Sequence, residues 1–412
     1  MSGEILFLAH RLPFPPDRGD KIRSHHILRR LARIAPVHVA TFTDSTADLA
    51  HEGALKAVAK THWLAVRRKP LWRAGLEALM KGEPVSLAAF YDEGLAAYVR
   101  DLIASGRIGT IYVFSGQMGQ YVPEDFTGRV LLDLVDVDSA KFEAYGQAGV
   151  SPRRWIDARE GRLLRGVEER LARRADETLL VSEAEAALFR SRLSDPAGVA
   201  VSALRNGIDA DFFDPARHGG SSPFAPHRGP HIVFTGQMDY APNIAAAERL
   251  IARIMPGLRQ SHPQAQCHIV GRNPPASLLA HDGKAGVRVW GEVPDVRPYV
   301  AAADLVMVPL AIARGVQNKV LEAMAMARPV VLTPQAATGI EAQNGMHFAI
   351  ADGDAALIRQ AQDLLADPQA RQAMGHAARH FVIEHLGWEA VLQPLESMTR
   401  GPCNAERRYH AA

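Results

Sequence analysis

At 412 residues the chain is longer than one ordinary hydrophobic core supports, so two domains are expected. Its 47% hydrophobic and 22% charged usage is ordinary for a soluble globular protein and excludes a disordered or fibrous chain. The 47 Lys+Arg against 45 Asp+Glu leave a formal charge of +2, with +3 on the first 205 residues and −1 on the rest, which argues against a dedicated nucleic-acid binder.

Only Cys267 and Cys403 are present, so there is no disulfide framework, and a reducing compartment is the natural setting. The start, Met1-Ser2-Gly3-Glu4, carries an acid and leads into five apolar residues, which is not a secretory leader. The longest apolar stretch, 301–313, is broken by Asp304 and Pro309 and falls short of the ~20 residues a membrane span needs. The expected location is cytoplasmic, with any membrane-bound substrate reached from the inner face of the plasma membrane.

Short apolar runs alternate with amphipathic stretches from end to end. In the first half the runs are Ile5–Ala9, Val37–Thr43, His62–Val66, Thr110–Phe114, Val130–Val135 and Thr178–Ser182. Each is apolar on both faces, as a buried parallel strand requires. Between the first two, Ile22, Ile27, Leu28, Leu31 and Ile34 predict a helix over 20–34. The second half repeats the scheme with His231–Thr235, Cys267–Val270, Val287–Trp290, Asp304–Pro309, Val330–Thr333 and His347–Ile350. Two doubly wound, Rossmann-like α/β units follow.

The expected division is 1–205, a Gly/Pro/Ser-rich linker at 206–230, a second domain at 231–386, and 387–412 crossing back to the first domain. Ligands of open α/β sheets bind beyond the carboxyl ends of the strands, so the working cleft is expected between two facing sheets.

The richest segment is 308–341, VPLAIARGVQNKVLEAMAMARPVVLTPQAATGIE. A strand ends near Pro309, a loop carries Arg314 and Gly315, and a helix is predicted from about Gln317 to Ala327. Helix N-termini present free N–H groups and partial positive charge to a phosphate. Arg314 can grip phosphate oxygens bidentately and Lys319 adds a point charge. Glu322, one turn on, is placed to accept hydrogen bonds from sugar hydroxyls. The competing possibility is a solvated Lys–Glu pair on a helix surface.

This segment, RGxxxKxLEAMAxxxPVV followed by ATGIE, resembles the donor-site signature of family 4 glycosyltransferases of the GT-B fold. LPFPPDRGDKIRS, RNGID, FTGQMDYAPN and WGEVPDVRPYV agree in order along nearly the whole chain. Within that family it is most similar to sugar transferases of bacterial exopolysaccharide and PEP-CTERM/exosortase gene clusters. The resemblance implies that Glu322 bonds the nucleotide ribose and that Arg314 and Lys319 neutralise the diphosphate of a UDP- or GDP-linked sugar. It implies that Gly236 lets backbone approach the donor, that Arg272 and Val293 flank the nucleobase, and that Thr338, Gly339 and Ile340 form a turn near donor sugar or phosphates.

Two departures stand out. Many members carry a Glu eight residues before the ribose Glu, where this chain has Arg314. Many carry an Arg/Lys pair after the turn at 236, where this chain has Gln237, Met238 and Asn243.

In the first half, HRLPFPPDRGD at 10–20 leads into a helix, with Gly19 and Asp20 at its mouth, and the resemblance places it beside acceptor and donor phosphate. Asp133, Asp136 and Asp138 close the strand at 130–135, where a cleft-facing carboxylate is a candidate base. Asp136 stands where the family often has a His. Asp136-Val137-Asp138 also spells the DxD metal motif of another transferase fold, but it is taken as an acceptor-side carboxylate group and no metal is expected. No GxGxxG, GxxxxGK[ST], CxxC or GxSxG is present.

The expected activity is retaining, metal-independent sugar transfer, with Asp136, Arg314 and Lys319 at the reacting centre and a glycan or lipid-linked acceptor. Trp63, Trp72 and the basic residues of 63–81 and 153–174 add an expected weak contact with anionic membrane. A nucleotide-sugar epimerase, a phosphorylase or a non-catalytic scaffold of a polysaccharide assembly are the alternatives.

Overall fold

The computed structural model describes residues 3–148, 152–218, 222–225, 229–313 and 315–401. The chain forms two compact units, one running to Asn206 and resuming at Val391, the other spanning Gly207–Ala390.

The first unit is built on a seven-stranded sheet of β1 (Glu4–Ala9), β2 (Val37–Thr43), β3 (Thr61–Val66), β4 (Ile108–Phe114), β5 (Arg129–Val135), β6 (Glu177–Leu180) and β7 (Val201–Ala203), in the order β3-β2-β1-β4-β5-β6-β7. Every pairing is parallel. β1, β2, β4 and β5 are buried almost throughout, which is why they read as unbroken apolar runs. β7 is short and half-exposed, and no apolar run announces it.

The second unit holds six parallel strands, β8 (His231–Thr235), β9 (Gln266–Val270), β10 (Val287–Gly291), β11 (Leu305–Val308), β12 (Val330–Leu332) and β13 (Ala349–Ile350), in the order β10-β9-β8-β11-β12-β13. In both sheets the order reverses beside the first strand, between β1 and β4 and between β8 and β11. Those are the points where ligands of doubly wound sheets bind.

Most of 206–230, expected as a linker, groups with the second unit. Its Phe213 and Phe224 are buried in that unit's core and Ile208 bridges Gly387, so it has apolar surface to hide. The return to the first unit begins at Val391 rather than 387, because Gly387 is tied to Ile208 and Gly207 lies against Trp388. Within the first unit the Pro394–Arg400 helix packs on the Gly19–Ile34 helix, with Leu395 and Thr399 buried and Arg30 3.3 Å from Glu396.

The Gly19–Ile34 helix departs from its expected stripe. Ile27, Leu28 and Leu31 are fully buried, but Ile22 and Ile34 are only partly so, and Arg23 is 1% exposed. The reason is Asp133 on β5, itself completely buried. Arg23 Nε and Nη2 each donate to one of its oxygens at 3.1 Å, the Tyr112 hydroxyl donates at 2.8 Å and the Val135 N–H at 3.1 Å. Arg23 Nη1 goes on to the Leu204 carbonyl at 2.8 Å and Asn206 Oδ1 at 2.9 Å. One guanidinium thus ties the first helix, the fifth strand and the exit of the seventh.

Removing one partner of such a pair strands a charge without solvent. Arg23→Met should cost about 3–5 kcal/mol in urea unfolding, whereas Arg23→Met with Asp133→Leu should recover part of the loss. A double variant no better than the single would show that the charge pair is not what holds this corner.

Candidate functional site

In the second unit the site is built at the β8/β11 reversal. β8, β9 and β10 run out into Gly236, Gly271 and Gly291. The Gly236 N–H donates to the Val270 carbonyl at 3.1 Å and the Gly271 N–H to the Gly291 carbonyl at 2.9 Å. A Cβ on Gly271 would lie 1.6 Å from the Gly236 carbonyl oxygen, and one on Gly236 would lie 2.8 Å from Asn243 Nδ2 and 3.0 Å from Lys319 Nζ. These positions have no room for a side chain, and they leave a floor of bare backbone.

Lys319 stands at that floor. It lies in the first turn of the Asn318–Ala325 helix, whose N-cap, Gln317, makes no side-chain capping bond. Its ammonium donates to Asn243 Oδ1 and lies 4.7 Å over the Phe234 ring. Asn243 is buried in the first turn of the Ala241–Arg249 helix, held by donation from its Nδ2 to the Gln237 carbonyl at 2.9 Å. Burial pulls the Lys319 ammonium down to about 8, against the opposing pull of Glu322. Burial also pushes the Glu322 carboxyl above the ordinary carboxylate range, with Lys319 opposing. Both groups lack the solvation that their charges need, and an anion carrying hydroxyl-rich sugar would supply partners to each.

Other expected donor residues are distributed around this centre. Gly315 and Gly339 both adopt left-handed backbone, at φ 66° and 79°, and a Cβ on Gly339 would lie 3.0 Å from Val316 Cγ2, so the two loops touch. Thr338 is exposed and its hydroxyl donates to the Pro334 carbonyl at 3.4 Å. The Ile340 side chain is in the core, which leaves only its backbone for a ligand. The Arg272 side chain is exposed, while its carbonyl accepts from Met238 N–H at 2.9 Å. Val293 packs against the core. Arg314 lies outside the described residues. Asn243, which had no assigned role, proves to be the direct partner of Lys319. Its only sequence signal was a polar residue early in the helix after a strand that ends in glycine.

In the first unit His10 follows directly on β1 at the β1/β4 reversal, at the head of the 10–20 loop but with no role singled out for it. Its ring is nearly parallel to Phe114 at 5.9 Å between centroids and meets Phe90 edge-on at 5.9 Å. Its Nε2 is 3.5 Å from Asp20, to which Arg11 also donates at 2.8 Å. Burial alone would raise Asp20, but the bonds from His10 and Arg11 outweigh it and hold the carboxyl well below its usual range. Arg11 and Arg18 both donate to Asp44 at 2.8 Å, fixing the loop before the helix. A Cβ on Gly19 would meet nothing within 4 Å, so the chain's own packing does not demand glycine there.

The strand-end acids do not act as one cluster. Asp133 is buried with Arg23 and belongs to the framework. Val135 takes φ 68°, a strained value for a β-branched residue, and the Asp133 carboxylate helps hold its N–H. The strained turn leaves Asp136 exposed. Asp138, half-buried at the start of the Asp138–Ala148 helix, is perturbed without a buried partner of the Arg23 kind. Burial raises it, Lys141 and His10 pull it down, and Asp136 raises it further. Among the described residues no three His, Cys, Asp or Glu side chains gather as metal ligands would.

Behind Asp138, Glu168 of the Pro152–Arg174 helix accepts from the Ser139 N–H at 2.9 Å and from its hydroxyl at 2.5 Å. Burial pushes its carboxyl up to about 7, and these two bonds oppose the rise.

Comparison with known proteins agrees with this architecture. Residues 229–367 match the family described as Glycosyl transferases group 1. No curated protein matches the chain. Among solved structures, sucrose-phosphate synthase from Thermosynechococcus elongatus is 19% identical, with 97% of this chain and 98% of that one covered, at a TM-score of 0.60. HepE of Anabaena, solved with UDP and glucose, is 14% identical over 97% and 100% of the two chains, at 0.55. WaaG, a glycosyltransferase involved in lipopolysaccharide biosynthesis, is 16% identical over 97% and 100%, at 0.55. The chain has the two-domain, Rossmann-like GT-B fold. The family match and the fold together support a glycosyltransferase.

The Glu168 carboxyl makes a checkable contribution to stability. Its native value lies above the ordinary 4.5, so the folded state holds the proton more tightly than the unfolded chain. That contribution is full below about 4.5 and is lost as pH rises to about 7. Urea unfolding of Glu168→Gln across this window should lack the decline that the parent shows. Parallel curves would show that Glu168 does not titrate there.

Proposed function

We propose that the protein is a retaining, metal-independent glycosyltransferase that moves a sugar from a UDP- or GDP-linked donor to a glycan or lipid-linked acceptor in bacterial exopolysaccharide assembly. The observation that carries this reading is the under-solvated Lys319 ammonium over a glycine floor at the β8/β11 reversal. HepE, of the same fold, was solved with UDP and glucose, which supports a nucleotide-sugar donor.

The second unit takes the donor. The diphosphate lies against the floor at Gly236, with Lys319 and the helix N-terminus facing it and Arg314 supplying a second cation, and Glu322 accepts from the ribose hydroxyls. Arg272 and Val293 flank the base, and the 338–340 turn faces the sugar. As the anomeric carbon's bond to the β-phosphate oxygen breaks, negative charge grows on the leaving diphosphate, where fixed cations in a poorly solvated site act most strongly. The acceptor oxygen bonds the anomeric carbon on the face the diphosphate leaves, and its proton passes to the departing phosphate oxygen. The first unit takes the acceptor beside the loop that carries Gly19 and Asp20. Asp136 and Asp138 orient the hydroxyl, which supplies positioning rather than a strict base.

Lys319→Met should cut turnover by roughly 10²-fold or more if the ammonium stabilises the leaving group. The pH profile tests the same group without chemistry. Lys319 is charged below about 8, and a bound diphosphate favours that form, so affinity for UDP or GDP should be full below about 8 and fall above it. Lys319→Arg should hold its affinity to higher pH. Calorimetric titration that finds no nucleotide bound, or affinity unchanged through this range, would remove Lys319 from the phosphate site.

A further inference from the structure

In the first unit, the Leu71–Lys81 helix is turned inside out. Its small residues, Ala74 and Ala78, face inward and are fully buried. Its large apolar residues face water: Trp72 is 74% exposed, Leu79 64% and Met80 81%, with Leu76 beside them. Positions 72, 76, 79 and 80 share one helical face, so this is a continuous stripe rather than scattered exposure.

A second helix, fastened to the first, also exposes large apolar side chains. Arg159 of the Pro152–Arg174 helix donates to the Ala78 carbonyl at 3.1 Å and the Glu83 carbonyl at 3.2 Å. Glu160, next to it, accepts from the Val85 and Ser86 N–H groups at 2.7 and 2.8 Å. One turn back from that pair, on the same sides of the helix, stand Trp155 and Ile156, 80% and 58% exposed. Two tryptophans and four aliphatic side chains are therefore presented to solvent from two helices that are bolted together.

Charge identifies the occupant. Segment 67–81 has five basic residues against one acid, and 152–174 has eight against four, a net +8 in a chain whose total is +2. Arg68, Arg73, Lys81, Arg154 and Arg162 are exposed around the apolar stripe. Apolar side chains that include tryptophan, set in a cationic rim, match the layered chemistry of an anionic bilayer, with phosphate above and acyl chain below. We propose that this face, formed by the Leu71–Lys81 helix and the first turn of the Pro152–Arg174 helix, docks on the anionic lipid headgroups of a membrane. The inference deepens, and rests on, the proposed transfer to a lipid-linked acceptor.

The same Pro152–Arg174 helix holds Ser139 through Glu168, at the start of the helix that begins with Asp138. At 1.5 Å per residue, Trp155 and Glu168 are on the order of 20 Å apart along that rod. Docking would set the height of the acceptor carboxylates above the bilayer.

The test is co-sedimentation of the full chain with phosphatidylcholine vesicles, with and without about one third phosphatidylglycerol. Binding is expected only to the anionic vesicles at about 0.1 M salt, and to weaken at about 0.5 M. Leu79→Ser with Met80→Ser should abolish it, and Arg68→Gln with Lys81→Gln should weaken it about twenty-five-fold, at about fivefold for each lost cation. Both pairs are exposed, so melting temperature should not move. Equal binding to neutral vesicles, parent-like binding by the serine variant, or a parental dimer that the serine variant dissolves would each overturn the proposal. Nucleotide-induced melting shifts on the same samples separate the two readings. Shifts retained without vesicle binding sink only the docking surface, whereas vesicle binding with no nucleotide shift sinks the transferase.

Discussion

Everything functional in this chain depends on one constraint of parallel sheets: all strands deliver their carboxyl ends to the same edge. Where the strand order reverses, adjacent connections leave in opposite directions and open a space that no side chain must fill. In the second unit that space is floored by Gly236 and Gly271 and holds the Lys319 ammonium. In the first, His10 and Asp20 lie there, and the strained turn that exposes Asp136 follows β5, one strand further along. The chemistry follows from the topology, because the same edge also collects helix N-termini and the polar residues of their first turns.

Two cation–carboxylate pairs in the molecule have opposite characters. Arg23 and Asp133 are both hidden, yet Arg23 makes bonds through Nε, Nη1 and Nη2, and Asp133 also accepts from Tyr112 and Val135. Such a pair fixes geometry and has nothing left for a ligand. Lys319 and Glu322 are half-buried, displaced from their usual protonation ranges, and Lys319 leans on one neutral amide oxygen. Incomplete satisfaction at a reversal point marks Lys319 and Glu322 as the candidate binding site and Arg23 and Asp133 as a strut.

The strands are legible in the sequence because burial on both faces leaves an unbroken apolar signature. A short run with no polar face, bounded by turn residues and repeated along the chain, fits a buried parallel strand and little else. Even the edges of β9 and β10 fall within a residue or so of their expected places. β7 is invisible for the converse reason, since three half-buried residues, Val-Ser-Ala, leave no pattern. The Lys319 and Glu322 environment is legible because both lie in one helix. Pairing across the fold is what sequence hides. Asp133 looks like Asp136 and Asp138 in sequence, and only Arg23, 110 residues away, separates its role from theirs. Asn243 and Lys319 meet across 76 residues for the same reason. The stretch at 206–230 passes for a linker because its glycines and prolines are conspicuous while Phe213 and Phe224, which anchor it, are isolated.

The exposed stripe on the Leu71–Lys81 helix shows how local rules and global use come apart. A helix chooses its inward face by what fits against its neighbours, and here the buried positions are the two alanines, Ala74 and Ala78. In a protein whose surface served solubility alone, the outward positions would carry charge. They carry Trp72, Leu79 and Met80 instead, and the compensating charge is displaced to the rim and to a neighbouring helix. Such an arrangement costs solubility unless something covers it, and its cationic border excludes most of what an apolar patch could otherwise collect. As the proposed docking face, such a surface would be selective by construction, admitting an apolar layer only when phosphate chemistry surrounds it.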